Sequence, residues 1–346
     1  MKIAVAMSGG VDSSVTAALL KKEGHEVFGM TMQVTASEAG ADAAREVAHA
    51  LGIPHHTVDF RDYFQKNIIS DFCLQYSVGK TPNPCVNCNR LIKFGALLEK
   101  AKELGAAAMA TGHYARIEKN SLNKRFVLRK GIDRTRDQSY FLYQLTQPQL
   151  ADALFPLGNM TKDSVRKMAL EMGLPVANRK ESREICFIPD NDYPHFLRSH
   201  LTAKIESGKI TDKQGNVLGE HNGIINYTIG QRKGLGISSE KPLYVVRIDS
   251  QSNTVILGGK QDVYAGEFIV TDLNWIAFDR LTGPLTLKAK IRYLHPESEA
   301  VMRPIDNDKV NVKFIEPQMA ITPGQAAVFY EGDVVVGGGT IERVLH

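Results

Sequence analysis

Ser8-Gly9-Gly10-Val11-Asp12-Ser13-Ser14 joins two segments of different character. Before it runs Lys2-Ile3-Ala4-Val5-Ala6-Met7, short, mostly apolar and without Gly or Pro, the pattern of a buried parallel strand. After it come Val15, Ala17, Ala18, Leu19 and Leu20 with Lys21, Lys22 and Glu23, then Gly24, which predicts a helix with a glycine stop. A strand, a Gly-Ser turn and a helix N-terminus together make an anion site. Backbone N–H groups point outward, the helix dipole favours negative charge, and Gly9 and Gly10 allow phosphate to approach. The stretch is neither G-x-x-x-x-G-K-S/T nor G-x-G-x-x-G, so neither of the two common phosphate-binding loops is present here.

Outward from this turn, Glu26 to Met32 reads as a second strand. Ala41, Ala44, Val47, Ala48 and Leu51 recur at helical spacing before Gly52-Ile53-Pro54, and His55 to Phe60 reads as a third strand. Tyr63 to Tyr76 is helical, with Cys73 a packed core thiol. Gly79 to Arg90, with its prolines and asparagines, reads as a loop, Leu91 to Leu104 as a helix, and Ala106 to Thr111 as a buried strand. A hairpin follows with Arg116-Ile117 and Phe126-Val127-Leu128 as strands, and Thr161 reads as the N-cap of a helix to Met172. Alternating strands and helices predict an α/β fold, a doubly wound parallel sheet whose ligand lies at the carboxyl ends of the strands, where the first turn and Met32 fall.

After Leu201 helical periodicity fades and short β runs alternate with Gly and Pro. Leu285, Leu287, Ala289 and Ile291 alternate with Thr286, Lys288, Lys290 and Arg292, giving one apolar and one basic face. The expected domains are residues 1–201, a catalytic α/β domain; 202–266, a small β-rich central domain; and 267–346, a C-terminal antiparallel β-barrel.

The 346 residues suffice for two or three cored domains, and 43% hydrophobic with 23% charged residues is ordinary for a globular protein. No apolar run is long enough to span a membrane and Met1-Lys2-Ile3 enters a strand directly, so the expected setting is the cytoplasm, without membrane partners. A net charge of +4 permits nucleic acid as a partner without demanding it. Cys73, Cys85, Cys88 and Cys186 are more in keeping with catalysis or metal than with structural disulfides. Cys85-Val86-Asn87-Cys88 is a lone CxxC; it lacks the second pair that structural zinc needs, and Cys88 and distant Cys186 are left as partners.

The Ser8–Ser14 turn resembles the SGGxDS signature of the ATP pyrophosphatases, which cut ATP between the α- and β-phosphates. It is followed in order by Thr81-Pro82-Asn83-Pro84-Cys85-Val86-Asn87-Cys88-Asn89-Arg90 with Ile92-Lys93-Phe94, then Ala110-Thr111-Gly112-His113-Tyr114 and Asp137-Gln138-Ser139-Tyr140-Phe141-Leu142. Glu184-Ile185-Cys186-Phe187-Ile188 and Tyr227-Thr228-Ile229-Gly230-Gln231-Arg232 complete the set. That ordered set, covering nearly the whole chain, resembles the bacterial tRNA-specific 2-thiouridylases.

The resemblance implies ATP-dependent adenylation of C2 of the wobble uridine of tRNA, then sulfur transfer from an enzyme persulfide to give 2-thiouridine, AMP and pyrophosphate. ATP and Mg2+ are the implied cofactors, with Asp12 helping to place the metal; tRNA and a persulfide sulfur-donor protein are the implied partners. Ala6, Met7, Ser8, Gly9, Gly10, Val11, Asp12 and Ser13, with Met32 and Gly112, match the family's nucleotide site. Asn83, Pro84 and Cys85 match contacts to the target base; His113, Arg136, Asp137, Gln138, Arg292, Tyr293 and Gln325 match other tRNA contacts. Cys88 matches the nucleophile and Cys186 the persulfide carrier, which implies a Cys88–Cys186 disulfide after turnover, with the order of attacks left open.

Some positions depart from the family. Gln33 to Gly40 is short and lacks the usual tryptophan and acidic cluster, Arg136 replaces a frequent Lys, and Glu181-Ser182-Arg183-Glu184 replaces Asp-Ser-Gln-Gly. Some relatives carry Asp at the position of Cys85. An alternative keeps the product but changes the mechanism: Cys85, Cys88 and Cys186 as ligands of a 4Fe–4S cluster. Another ATP pyrophosphatase would need no distant cysteine pair, and a non-enzymatic RNA-binding module would not need an intact Ser8–Ser14 turn. Taken alone, His113 reads as a core histidine, Arg136-Asp137-Gln138 as a solvated turn, and Lys288-Lys290-Arg292 as a wet sheet face.

Overall fold

The computed structural model describes residues 1–179, 185–188, 190, 192–201 and 204–345. The departures at Glu181 to Glu184 lie outside them.

Strand β1 (Lys2–Ala6) leads through the Gly9-Gly10 turn into helix α1 (Val11–Lys22), and β2 (Glu26–Gln33), α2 (Ala39–Leu51) and β3 (His55–Asp59) follow. The helix α3 runs as consecutive segments Arg61–Phe64, Gln65–Ile69 and Ser70–Ser77, the middle one π-helical. The helix α4 does the same over Pro84–Asn87, Cys88–Leu97 and Leu98–Glu103. Strand β4 (Ala108–Ala110), the hairpin β5 (Ala115–Lys119) and β6 (Phe126–Lys130), and the short β7 (Ala153–Leu154) complete this half, with α5 (Lys162–Glu171) after it. The parallel sheet has the order β3-β2-β1-β4-β7. The chain winds outward from β1 to β3, then crosses to the other side of β1 at β4, so the switch point lies between β1 and β4. Ile3 and Val5 pack with Ala17, Leu20, Val47 and Ala48 on one face, and Ala4, Phe28 and Met30 with Phe94, Leu97 and Leu98 on the other.

The loop expected over Gly79–Arg90 is shorter than its composition suggests. Asn83 is extended and Pro84 occupies the first helical position, where its missing N–H costs nothing, so α4 begins there and carries Cys85 and Cys88 in its first turns. As expected, Cys73 is buried and Thr161 caps α5, its Oγ1 accepting from Ser164 N.

The helix α6 (Tyr193–His200) leads to the central sheet, β8 (Gly208–Thr211), β9 (Val217–His221), β10 (Tyr244–Asp249) and β11 (Thr254–Gly258), ordered β10-β11-β8-β9. Ile210, Tyr227, Val245, Val255 and Leu257 form its core. Then β12 (Tyr264–Trp275), β13 (Leu285–Lys290), β14 (Ser298–Pro304), β15 (Val310–Met319), β16 (Ala326–Glu331) and β17 (Val334–Leu345) pair in the order β12-β15-β14-β13-β16-β17, and β12 pairs with β17 to close an antiparallel barrel. Leu287, Ala289 and Ile291 point inward with Phe268, Val312, Phe314 and Phe329, as the alternation predicted.

The expected hairpin forms, but it belongs to the barrel's sheet: Val334 and Val335 of β17 pair with Arg129 and Leu128 of β6. One core accordingly runs from Leu97, Tyr140 and Leu142 to Val328, Tyr330 and Val335.

Candidate active site

The turn after β1 is held from within. Ser8 N donates to Ser13 Oγ at 3.2 Å, and the hydroxyls of Ser13 and Ser14 donate back to Gly10 O at 3.2 and 2.8 Å. The two glycines differ. Gly9 has φ of 71°, and a Cβ there would lie 2.6 Å from Gly40 O. Gly10 is extended, and its nearest obstacle, Ser8 Oγ, is 3.4 Å away. Gly9 makes the turn, then, and Gly10 leaves space beside it. Gly112, beyond β4, abuts the same turn, with a Cβ there meeting Asp12 C and Ser13 N at 2.8 Å. Met7 N donates to Met30 O at 2.7 Å, and Met32 lies near the carboxyl end of β2.

Three groups that sequence reasoning missed close this end. Lys162, buried at the start of α5, contacts both carboxylate oxygens of Asp12, and Tyr114 Oη donates to Asp12 Oδ1 at 2.8 Å. Arg179 Nη1 donates to Gly9 O at 2.8 Å. Only spatial proximity reveals them, since each is far from the turn in sequence. The Asp12 side chain keeps 32% of its surface exposed. A Mg2+ ion beside a nucleotide retains waters and needs as little as one carboxylate with phosphate oxygens, and Asp12 fits that role.

The thiols form a second cluster. Cys85 and Cys88 are one turn apart at the start of α4, and Cys186 faces them closely enough to be felt electrostatically by both. Phe187 anchors that segment: its ring lies 5.5 Å from Phe64, 5.4 Å from Phe72 and 5.2 Å from Phe196. Cys85 and Cys186 present accessible surface and Cys88 is half-buried, yet burial raises the pKa of all three, that of Cys88 to about 12. The three thiols are thus crowded by surrounding protein, while Cys85 and Cys186 keep accessible surface; this region is called the thiol cleft. The Lys93 ammonium opposes the shift at every one of the three. All are free thiols. Among the described residues, which include these three, no group of three His, Cys, Asp or Glu is placed to hold a metal ion.

The residues matched to tRNA contacts separate into two kinds. Gln325 Nε2 donates to Thr81 O at 2.9 Å and Thr81 N donates to Pro323 O at 2.9 Å, so a barrel turn fixes the approach to Asn83, Pro84 and Cys85. The Asp137 carboxylate is buried and accepts from Gly131 N, Ser139 N and Ser139 Oγ, an internal strut. Gln138 Oε1 accepts from Tyr114 N at 3.0 Å. His113 packs between Phe94 and Phe155, Nδ1 is 2.7 Å from Thr111 Oγ1, and burial depresses its pKa well below the usual imidazole range.

Arg136, Arg292 and Tyr293 are part-exposed, and Arg292-Tyr293 follow the end of β13. Tyr293 lies 4.5 Å from Phe141 and 6.2 Å from Tyr140. The basic face of β13 is uneven: Lys288 is exposed, whereas Lys290 lies over the rings of Tyr140 and Tyr293 at 6.0 and 5.6 Å.

Among the described residues no helix is long and apolar enough to cross a membrane. Residues 1–190 match the family profile described as a tRNA methyl transferase HUP domain, 194–259 its PRC-barrel domain, and 265–341 an aminomethyltransferase β-barrel domain. The chain is 53% identical to tRNA-specific 2-thiouridylase MnmA 1 of Caldanaerobacter subterraneus, over 99% of this chain and 98% of that one. It is 49% identical to tRNA-specific 2-thiouridylase MnmA of Acetivibrio thermocellus, over 99% of both. A solved 4-thiouridine synthetase–RNA complex with bound ATP overlaps 57% of this chain and 50% of its own, at 16% identity and a TM-score of 0.35.

Proposed function

We propose, for a chain that belongs to the tRNA-specific 2-thiouridylase family, that it is a tRNA sulfurtransferase whose ATP turn and thiol cleft act in sequence on one uridine. The observation that carries this reading is a glycine turn at the sheet's switch point, with open space beside Gly10, in a chain that also holds free thiols on α4 and at Cys186. The profile's description as a methyl transferase is not followed, because methyl transfer requires neither a triphosphate turn nor a distant cysteine pair.

The uracil C2 oxygen is a poor leaving group. Its attack on the α-phosphorus of ATP expels pyrophosphate and leaves AMP on O2. Gly10 and the N–H groups opening α1 receive the phosphates, and Asp12 would hold Mg2+, which neutralises phosphate charge when bound. The terminal sulfur of a Cys186 persulfide attacks C2 and AMP departs with the C2–O electron pair. Cys88 thiolate then attacks Cys186 Sγ; the bond to the transferred sulfur breaks toward the base, giving 2-thiouridine and a Cys88–Cys186 disulfide. Two electrons from a thiol reductant reset the pair, and a persulfide-bearing donor protein reloads Cys186. Asn83, Pro84 and Cys85 line the target base, with Arg136, Arg292 and Tyr293 at the surface beyond it. The activity belongs to the cytoplasm, where tRNA, ATP and reductant coexist.

Incubation with unmodified tRNA, ATP, Mg2+ and a persulfide donor, followed by nucleoside mass spectrometry, tests the reading. ATP-dependent 2-thiouridine with equimolar pyrophosphate is expected. Pyrophosphate without thiolated nucleoside, or a methylated product, would overturn it.

A further inference from the structure

The segment Cys88–Leu97 of α4 is π-helical over its whole length. In an α-helix a side chain five residues on is turned about 140° from the first, and in a π-helix, with about 4.4 residues per turn, only about 50°. Lys93 stands five residues after Cys88, so the π geometry swings it onto the side of the thiol. The preceding turn, Pro84–Asn87, is α-helical, which sets Cys85 on that side as well. Lys93 is part-buried between Ile92 and Phe94, both in the core. The charge of Lys93 is also felt at Cys186 and His113, which belong to two other elements, and His113 is itself kept neutral by burial.

We propose that Lys93 is a positioning residue for sulfur transfer, presenting its ammonium across the π turn to hold the thiolates of Cys88 and Cys186. The groups facing Cys88 are Lys93, Cys186 and Cys85; those facing Cys186 include Lys93. The proton lost from each thiol passes to solvent through the open side of the cleft. Desolvation pushes both thiols toward the protonated, unreactive form, and a fixed cation offsets part of that push and favours the thiolate once it forms. Cys73 supplies an internal control, because its thiol is shifted by burial without a contribution from Lys93.

The proposal rests on the thiol chemistry of the reading above, but its test needs neither ATP nor tRNA. The full-length protein, reduced, is treated with iodoacetamide from pH 6 to 10, and labelling of each cysteine peptide is followed by mass spectrometry. An opposite charge nearby moves a pKa by about 1–3 units, so Lys93→Met should slow labelling of Cys88 by about tenfold or more at every pH from 8 to 10. Lys93→Arg keeps the charge and should stay within about threefold of the parent. A parental profile in Lys93→Met overturns the proposal. If Lys93→Met also exposes Cys73, the fold has loosened and Lys93→Arg decides alone: near-parental rates support the charge, and a matching loss overturns it. A chain that fails to thiolate tRNA but passes this test refutes the functional reading and leaves Lys93 its role.

Discussion

Lys162 Nζ lies 2.7 Å and 2.9 Å from the two carboxylate oxygens of Asp12, a pair joined across 150 residues. The lysine is 6% exposed and the carboxylate 32%, so the cation is buried while the carboxylate, itself part of the turn, stays partly open. Lys162→Met removes the cation from the carboxylate and leaves it the Tyr114 hydroxyl and solvent. Breaking a fully buried pair costs about 3–5 kcal/mol; with partial exposure of Asp12 a loss of about 1–3 kcal/mol is expected. Pyrophosphate release should fall more than about tenfold, since the carboxylate loses its fixed orientation. Urea denaturation and a pyrophosphate assay check both; parental values in the variant would refute the link.

The two glycines of the turn should behave oppositely. Gly9→Ala forces a Cβ to 2.6 Å from Gly40 O at a positive φ, so it should lower stability by about 1–3 kcal/mol. Gly10→Ala meets nothing nearer than 3.4 Å, so the fold should survive while ATP binds more weakly. Thermal melts with and without ATP separate them: Gly10→Ala should keep the parental midpoint but lose the ATP-induced rise. Equal behaviour would mean that phosphate does not approach at Gly10.

Acid should unfold the protein through histidines. Burial depresses the pKa of His113 well below its unfolded value near 6.5. Below pH 6.5 the unfolded chain binds a proton that the folded chain refuses, so the stability contribution present above 6.5 is lost as pH falls. Each such group adds at most about 1.4 kcal/mol per pH unit. His55, His221 and His295 are shifted the same way, chiefly by burial, and act in the same window. His113→Gln should flatten the slope of unfolding free energy between pH 6.5 and 5.5. An unaltered slope would show that His113 is solvated.

Much of this was legible because it is local. The Ser8–Ser14 turn, the strand periodicities and the inward Leu287, Ala289 and Ile291 need only neighbours in sequence. The misread stretch was local too, but ambiguous: Pro84 ends a helix anywhere except at its first position, and composition does not say which applies. What was illegible is non-local. Nothing near Lys162 announces Asp12, and nothing in Leu128 and Arg129 announces a barrel edge at Val334 and Val335. The inward use of Asp137 was hidden for a different reason: its partners, Gly131 and Ser139, are close in sequence, but the burial of the carboxylate is set by the rest of the fold.

On β13 the two lysines should separate. Lys288 is exposed and costs little to reverse, whereas Lys290 rests on Tyr140 and Tyr293. If tRNA phosphate lies along this face, Lys288→Glu should weaken binding at low salt and make the log–log salt slope shallower by about 0.7–0.9 without altering stability. Lys290→Glu should also lower the melting temperature, because it removes a cation from two rings and places a carboxylate there. Filter binding at several salt concentrations, beside thermal melts, checks both. An unchanged slope for Lys288→Glu places the RNA elsewhere.

Cys85 decides between two uses of the thiol cleft. Cys88→Ser and Cys186→Ser should each abolish 2-thiouridine formation and leave ATP binding intact, since neither belongs to the phosphate turn. Cys85→Ser should keep most of the activity, and Cys85→Asp likewise, if the third thiol only lines the base pocket. Cys85, Cys88 and Cys186 are near enough to influence one another's charge, so either use is open to them until the variant is measured. A cluster would demand all three sulfurs and would disappear with any one of them. Preparing the parent and Cys85→Ser without oxygen, then measuring iron, sulfide and thiolation on the same samples, separates the cases. An active, iron-bearing parent beside an inactive, iron-free Cys85→Ser would overturn the persulfide relay; equal activity in both, whatever the iron content, would establish that Cys85 carries no sulfur and holds no metal that the reaction needs.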